Sequence, residues 1–210
     1  MELNICHLYP DILNLYGDRG NIITMKRRLE SRGISVNVDE CSIGQPLDVD
    51  KYDIFFIGGG QDFEQEVLLR DLASGKGKDI CTAVEEEKVF LAICGGYQML
   101  GQYYKTWDGV QLDFIGAINV HTIGAKERMI GNYMFTCDEL NCEIVGFENH
   151  SGKTYLGAGV KPMGKVLAGF GNNGEDGTEG VRYKNVYGTY SHGPLLPKNP
   201  ALCDEILRGA

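Results

Sequence analysis

The sequence predicts an α/β fold: a mostly parallel sheet with helices on both faces, and an antiparallel β portion in the second half of the chain. Three observations carry this. Short apolar runs alternate with helical patterns from the N-terminus to Tyr103, the rhythm of a parallel sheet. Helical spacing then disappears from about Val110, where β-branched and aromatic stretches are broken by glycines. The two longest apolar runs, Ile54 to Ile57 and Val89 to Cys94, each pass directly into glycine and then into a helical pattern.

In chain order, Leu3 to Leu8 reads as a strand, Asn21 to Ser31 as a helix and Ser35 to Val38 as a short strand. Tyr52 to Ile57 is the next strand, followed by helices over Asp62 to Ala73 and Asp79 to Glu87. Val89 to Ile93 is a strand and Gly95 to Tyr103 a helix. The antiparallel layer is drawn from Phe114 to Val120, Met129 to Thr136, Glu143 to Phe147, Tyr155 to Leu156 and Lys165 to Leu167. Val181 to Tyr190 returns to the main sheet near Tyr187, and Pro200 to Leu207 begins a last helix.

The 210 residues, 43% hydrophobic, suffice for one substantial core, and no repeat or linker divides them, so residues 1–210 read as a single domain. A formal net charge of −9 argues against a binder of nucleic acid, which needs clustered cations to displace counterions. Met1 to Asn4 lacks a basic leader, and no apolar run approaches the roughly 20 residues of a membrane span, so a cytoplasmic protein is expected. Seven cysteines without a C-x-x-C pair fit a reducing compartment. Cys137 and Cys142 have no matching second pair, so no metal is expected.

The segment most informative about chemistry is Cys94-Gly95-Gly96-Tyr97-Gln98-Met99. A strand that ends in Cys and turns at once into a helix puts the sulfur on a tight elbow, exposed at the carboxyl edge of the sheet, where α/β enzymes keep a nucleophile. The helix start at Gly95 aims unpaired N–H groups at that sulfur. A small buried hydrophobe at a strand end is the plainer reading of Cys94. Gly58-Gly59-Gly60-Gln61 occupies the same position after the preceding strand, and its N–H groups suit an oxyanion hole. His192, in Tyr190-Ser191-His192-Gly193, would emerge at a strand end as the base. His7 falls inside a strand, and His121 and His150 lie in or near the antiparallel layer. Gly152-Lys153-Thr154 looks like the end of a phosphate-binding loop, but Phe147 stands where its first glycine belongs. The acidic, flexible stretch Gly171 to Gly177 would repel phosphate, so no ATP site is expected on this chain.

Ala92-x-Cys94-x-Gly96-x-Gln98 and Gly188-Thr189-Tyr190-x-His192-Gly193 resemble the class I glutamine amidotransferases, in the branch that includes the cobyric acid synthase amidase domain. Leu8 to Asn21, Gly58 to Gln65, Gly146-Phe147-Glu148-Asn149-His150 and Gly171 to Gly180 extend the likeness over nearly the whole chain. The resemblance implies a three-layer, flavodoxin-like fold, a glutaminase in which Cys94 attacks the carboxamide of L-glutamine, and Gly59, Gly60 and Gly95 as the oxyanion hole. It further implies that Gln98 helps position the substrate and that Arg128 receives its α-carboxylate, although Arg128 beside Glu127 also reads as a solvated surface charge. Ammonia would pass to a Mur ligase-like synthetase subunit forming a heterodimer with this chain, which amidates the D-glutamate of lipid II and carries the ATP and magnesium. No cofactor is then expected here. Many members place a Glu two residues after the catalytic His, where this chain has Pro194. Glu64 is the candidate third member of the triad, with a helix-dipole carboxylate as its other reading. A cobyrinate-type amidase, a stand-alone cysteine hydrolase and a noncatalytic binding module are the competing functions.

Overall fold

The computed structural model of the chain describes residues 1–60, 62–137 and 139–210, and for residues 62–66 the helical backbone alone. β1 (Glu2–Leu8) leads into α1 (Arg19–Glu30) and β2 (Ser35–Cys41). Ile22, Met25 and Leu29 form one buried stripe on α1, with Arg27 and Arg28 in its last turn, where cations suit the helix dipole. β3 (Ile54–Ile57), α2 (Asp62–Asp71), α3 (Gly77–Glu85), β4 (Val89–Ile93) and α4 (Gly95–Leu100) continue the alternation. Every residue of β3 and β4 is buried, as expected of parallel strands covered on both faces. Phe55 and Phe90 are register partners and stack with ring centroids 4.7 Å apart.

Two departures from the expected helices have local causes. A π-helical turn over Leu72–Lys76 joins α2 to α3, allowed by Gly75 at φ 131°, a conformation open mainly to glycine. α4 stops at Leu100 rather than Tyr103, because the chain turns extended at Gly101, where a Cβ would come within 2.8 Å of both the carbonyl oxygen and a methyl of Val120.

Tyr103–Lys105 is instead β5 of a second sheet, with β6 (Gln111–Asp113), β7 (Val120–Cys137), β8 (Cys142–Leu156), β9 (Gly164–Ala168) and β10 (Thr178–Glu179). The short strands expected over this region are largely one long hairpin: β7 runs for 18 residues and β8 for 15, paired from Val120–Leu156 to Cys137–Cys142. A register shift between Gly124 and Met129 marks a bulge in β7. Phe114 to Ile118 packs on the core without joining a sheet.

β11 (Val181–Tyr183) and β12 (Val186–Thr189) divide the expected Val181 to Tyr190 stretch at a turn where Lys184 takes φ 49°. β12 lies parallel to β4, with Tyr187 opposite Leu91, so the first sheet has the order β11-β12-β4-β3-β1-β2 and only β11 runs antiparallel. α5 (Leu195–Lys198) and α6 (Pro200–Arg208) close the chain against α1, where Arg28 grips Asp204 through two bonds of 2.7 and 2.6 Å. Among the described residues no helix is long and apolar enough to cross a membrane. The architecture is thus the expected one, a parallel sheet with an antiparallel portion, and it brings the carboxyl ends of β1, β3, β4 and β12 to one edge.

Candidate active site

Cys94 follows β4 with φ 48° and ψ −106°, a strained elbow for a residue with a side chain. The surroundings hold it there. Its N–H donates to the Thr189 carbonyl at 2.8 Å, the Gly96 N–H donates to the Gly58 carbonyl at 3.2 Å, and a Cβ on Gly96 would sit 2.5 Å from an Ile57 methyl. The sulfur does not project into solvent as expected: Cys94 is only 8% exposed. Neighbouring loops and the hairpin rise around it, enclosing a cavity of about 410 Å³ lined by Leu15, Tyr16, Gly60, Cys94, Gln98, Arg128, Ile130 and Asn149 to Gly152.

His192 stands three residues beyond β12 and is fully buried. Its Nδ1 lies 3.4 Å from Oδ1 of Asp18, also fully buried, whose Oδ2 accepts the Gly59 N–H at 2.7 Å. Burial by itself would lower the imidazole pKa, but the charges and hydrogen bonds of Cys94 and Asp18 outweigh it and raise His192 to about 10. The contact of Nε2 with Cys94 is looser than an ordinary hydrogen bond, as apo active sites often show. The Tyr16 ring, at φ 56° in a turn before α1, lies 4.7 Å from the His192 ring.

Asp18 is the residue that sequence reasoning missed. It sits in the Leu8 to Asn21 segment, between the carboxyl end of β1 and the start of α1, the same kind of position that singled out Gly58 and Cys94. The side chain of Glu64, the candidate for this place, lies outside the described residues. The assignment of Gly59 to an oxyanion hole needs correction, because its N–H is engaged by Asp18. Its glycine identity serves space instead, since a Cβ there would lie 2.7 Å from His192 Cε1. Gly60 lines the cavity, and Gly95, first residue of α4, has no intrahelical acceptor for its N–H.

Gln98 is buried on the cavity floor, where its Nε2 donates to the Tyr190 hydroxyl at 2.9 Å. Burial pushes that phenol up, so it stays a neutral partner for Gln98 and for Thr154 Oγ1 at 2.6 Å. Arg128, beside the β7 bulge, reaches the cavity wall and is bound by Asn149. Of the other histidines, His7 is held down to about 4, chiefly by burial, and packs on Phe56 within the sheet. His121 stacks between Tyr103 and Tyr155, and His150 stacks on Tyr190 with Nδ1 2.7 Å from the Gly152 carbonyl oxygen. The stretch from Gly171 is ordered by hydrogen bonds rather than loose: Asn173 Oδ1 accepts from the N–H groups of Glu175 and Asp176, and buried Glu148 accepts from those of Phe170 and Gly171.

A nucleophile, an imidazole oriented by a carboxylate, the Gly60 and Gly95 amides, which have no partner among the described residues, and a cation across a polar cavity together suit acyl transfer from a small amide bearing a carboxylate. Residues 4–200 match the model of the CobB/CobQ-like glutamine amidotransferase domain. The chain is 42% identical over its full length, and over 80% of the relative's, to the glutamine-hydrolysing subunit GatD of lipid II isoglutaminyl synthase from Streptococcus pneumoniae (strain ATCC BAA-255 / R6). It is 44% identical to the subunit of the same name from Staphylococcus aureus (strain N315), covering 100% of this chain and 84% of that one. Among solved structures, PurLQS from Thermotoga maritima superposes with a TM-score of 0.66 at 14% identity, covering 100% of this chain and 97% of that one, a likeness of fold.

Proposed function

The chain belongs to the CobB/CobQ-like glutamine amidotransferases, and on that premise we propose that it is the glutaminase subunit of a lipid II-amidating enzyme, using Cys94, His192 and Asp18 as its catalytic machinery. At neutral pH the raised His192 carries a proton beside the sulfur. Cys94 attacks the side-chain carboxamide carbon of L-glutamine, and the carbonyl oxygen gathers negative charge against the amides of Gly60 and Gly95. His192 protonates the departing nitrogen, ammonia leaves, and a glutamyl thioester remains. His192 then takes a proton from water, which attacks the thioester and releases glutamate from the sulfur. Asp18 fixes the imidazole with Nδ1–H toward itself and Nε2 toward sulfur. Gln98 lines the floor under the substrate, and Arg128 receives the α-carboxylate.

Ammonia then passes to a Mur ligase-like synthetase (MurT) that binds this chain as a heterodimer in the cytoplasm, activates the D-glutamate carboxylate of lipid II with ATP and magnesium, and leaves this chain free of cofactors. The observation that carries the reading is the Cys94 elbow lining a polar cavity, together with the buried His192–Asp18 pair whose ring the sulfur influences. The test is a complementation of nitrogen sources. With the purified synthetase, ATP and a muropeptide acceptor, the wild type amidates with glutamine, while the Cys94→Ala complex amidates only when ammonium salt is supplied. A mutant complex that fails even in abundant ammonia overturns the division of labour.

A further inference from the structure

Arg128 sits next to the register shift of β7, where the regular alternation of side chains across the sheet is broken and a bulge can re-aim a residue. Its guanidinium is tied on one edge only. Nε and Nη2 donate to Asn149 Oδ1 at 2.9 and 2.8 Å, and Nη2 also reaches the Asn149 carbonyl oxygen at 3.2 Å. Nη1 has no partner among the described residues. The Asn149 amide is anchored in turn, because its Nδ2 donates to the Tyr16 hydroxyl at 2.5 Å. Arg128, Asn149 and Tyr16 all line the cavity that holds Cys94.

We propose that Asn149 is a positioning residue for substrate recognition: it holds the Nε–Nη2 edge of Arg128, so that the Nη1 end is turned, in advance, toward the α-carboxylate of the amide substrate. This rests on the reading that L-glutamine occupies the cavity. Three physical points support an asparagine in this place. Arginine is long and rotamer-rich, so fixing it before the ligand arrives removes an ordering cost from binding. A carboxylate in place of Asn149 would fix the guanidinium equally well but cancel its charge and repel the incoming carboxylate. An apolar residue would leave an exposed arginine free to swing into water. The guanidinium, which can only donate, fixes Oδ1 of Asn149 toward Arg128, and the Tyr16 hydroxyl, set by a turn that also delivers Asp18 to His192, accepts from the other end of the amide.

The test is a double-mutant cycle on the full-length chain. L-glutamine binding is measured by titration calorimetry in a Cys94→Ala background, to prevent turnover, for that protein and for versions adding Asn149→Ala, Arg128→Ala or both. Asn149→Ala is expected to weaken binding about tenfold or more, and the double substitution to match Arg128→Ala within about twofold, because a residue acting through Arg128 has nothing to position once Arg128 is gone. Alkylation of Cys94 by iodoacetamide, an amide without an α-carboxylate, is measured in proteins that retain Cys94 and should stay within about twofold on Asn149→Ala. Unchanged glutamine binding in Asn149→Ala, multiplying losses in the double substitution, or a parallel fall in alkylation would each overturn the positioning role. Absence of glutamine binding in the parent overturns both this inference and the functional reading. Binding that follows the cycle in a chain whose wild type does not hydrolyse glutamine overturns the functional reading alone.

Discussion

The edge of the parallel sheet and the long hairpin face each other across the cavity, and they are built to opposite specifications. At the sheet edge, Asp18 and His192 are fully buried, Cys94 nearly so, and three non-glycine residues, Tyr9, Tyr16 and Cys94, take positive φ. On the hairpin, Arg128 is exposed and Asn149 half-buried, and the guanidinium is held by hydrogen bonds to the Asn149 side chain and carbonyl oxygen. The comparison teaches a division of tasks. Bond-making groups are placed by backbone that cannot move far, whereas the group that recognises the substrate's charge is placed by a side-chain contact on a separate element.

If that division is right, substitutions on the two sides differ in kind. The largest effect falls on Cys94→Ala, which should abolish glutamate release in a coupled glutamate assay while the thermal unfolding midpoint changes little; full activity would end the nucleophile assignment. Next comes Asp18→Asn, expected to reduce kcat by roughly 10³- to 10⁴-fold through loss of the imidazole's orientation, with glutamine KM nearly unchanged. Glu64→Gln in the same assay decides between the two carboxylates, since only the one that orients His192 should be costly. On the hairpin side, Arg128→Ala should show the reverse pattern. Losing a charge-assisted contact of about 1.5–3 kcal/mol raises KM roughly 10- to 150-fold with kcat retained. A fall in kcat alone would place Arg128 with the chemistry.

The smallest effect is on protonation. His192 is held above its ordinary 6.5, at about 10, so its protonated form favours the folded state. Its contribution to stability is complete below about pH 6.5 and is lost as the pH rises toward about 10. Cys94→Ala removes the largest influence that raises the ring, so the imidazole should titrate at lower pH by NMR, and the alkaline loss of stability should flatten. A His192 that titrates identically in both proteins would mean that the sulfur and the ring do not communicate.

The sequence made the elbow legible because its signal is local: an apolar run, a Cys and two glycines specify strand, turn and helix without distant residues. His192 could be read for the same reason, from the strand that precedes it. Asp18 could not, because its meaning lies in a contact spanning 174 residues, and a lone Asp before a helix reads as an N-terminal carboxylate. Gly59 failed in step with it, since nothing in the chain near residue 59 shows that its N–H is engaged by Asp18. In sequence, glycines such as Gly124 read as breaks between short strands, whereas a Cβ at Gly124 would lie 2.8 Å from the Tyr104 hydroxyl, so the residue permits close packing within a continuous strand. Arg128 and Gln98 were available only through family likeness, because the geometry that brings them to one cavity depends on how the hairpin folds over α4.

The backbone of Cys94 also bears on the protein's resistance to heat. A side chain held at φ 48° and ψ −106° costs on the order of 1–3 kcal/mol, and glycine would adopt the same angles freely at an entropic cost of only about 0.5–1 kcal/mol. The nucleophile therefore occupies a place where the fold alone would favour glycine. Selection of variants for thermal endurance, without selection for turnover, should drift toward Cys94→Gly: hardier molecules that have lost their chemistry.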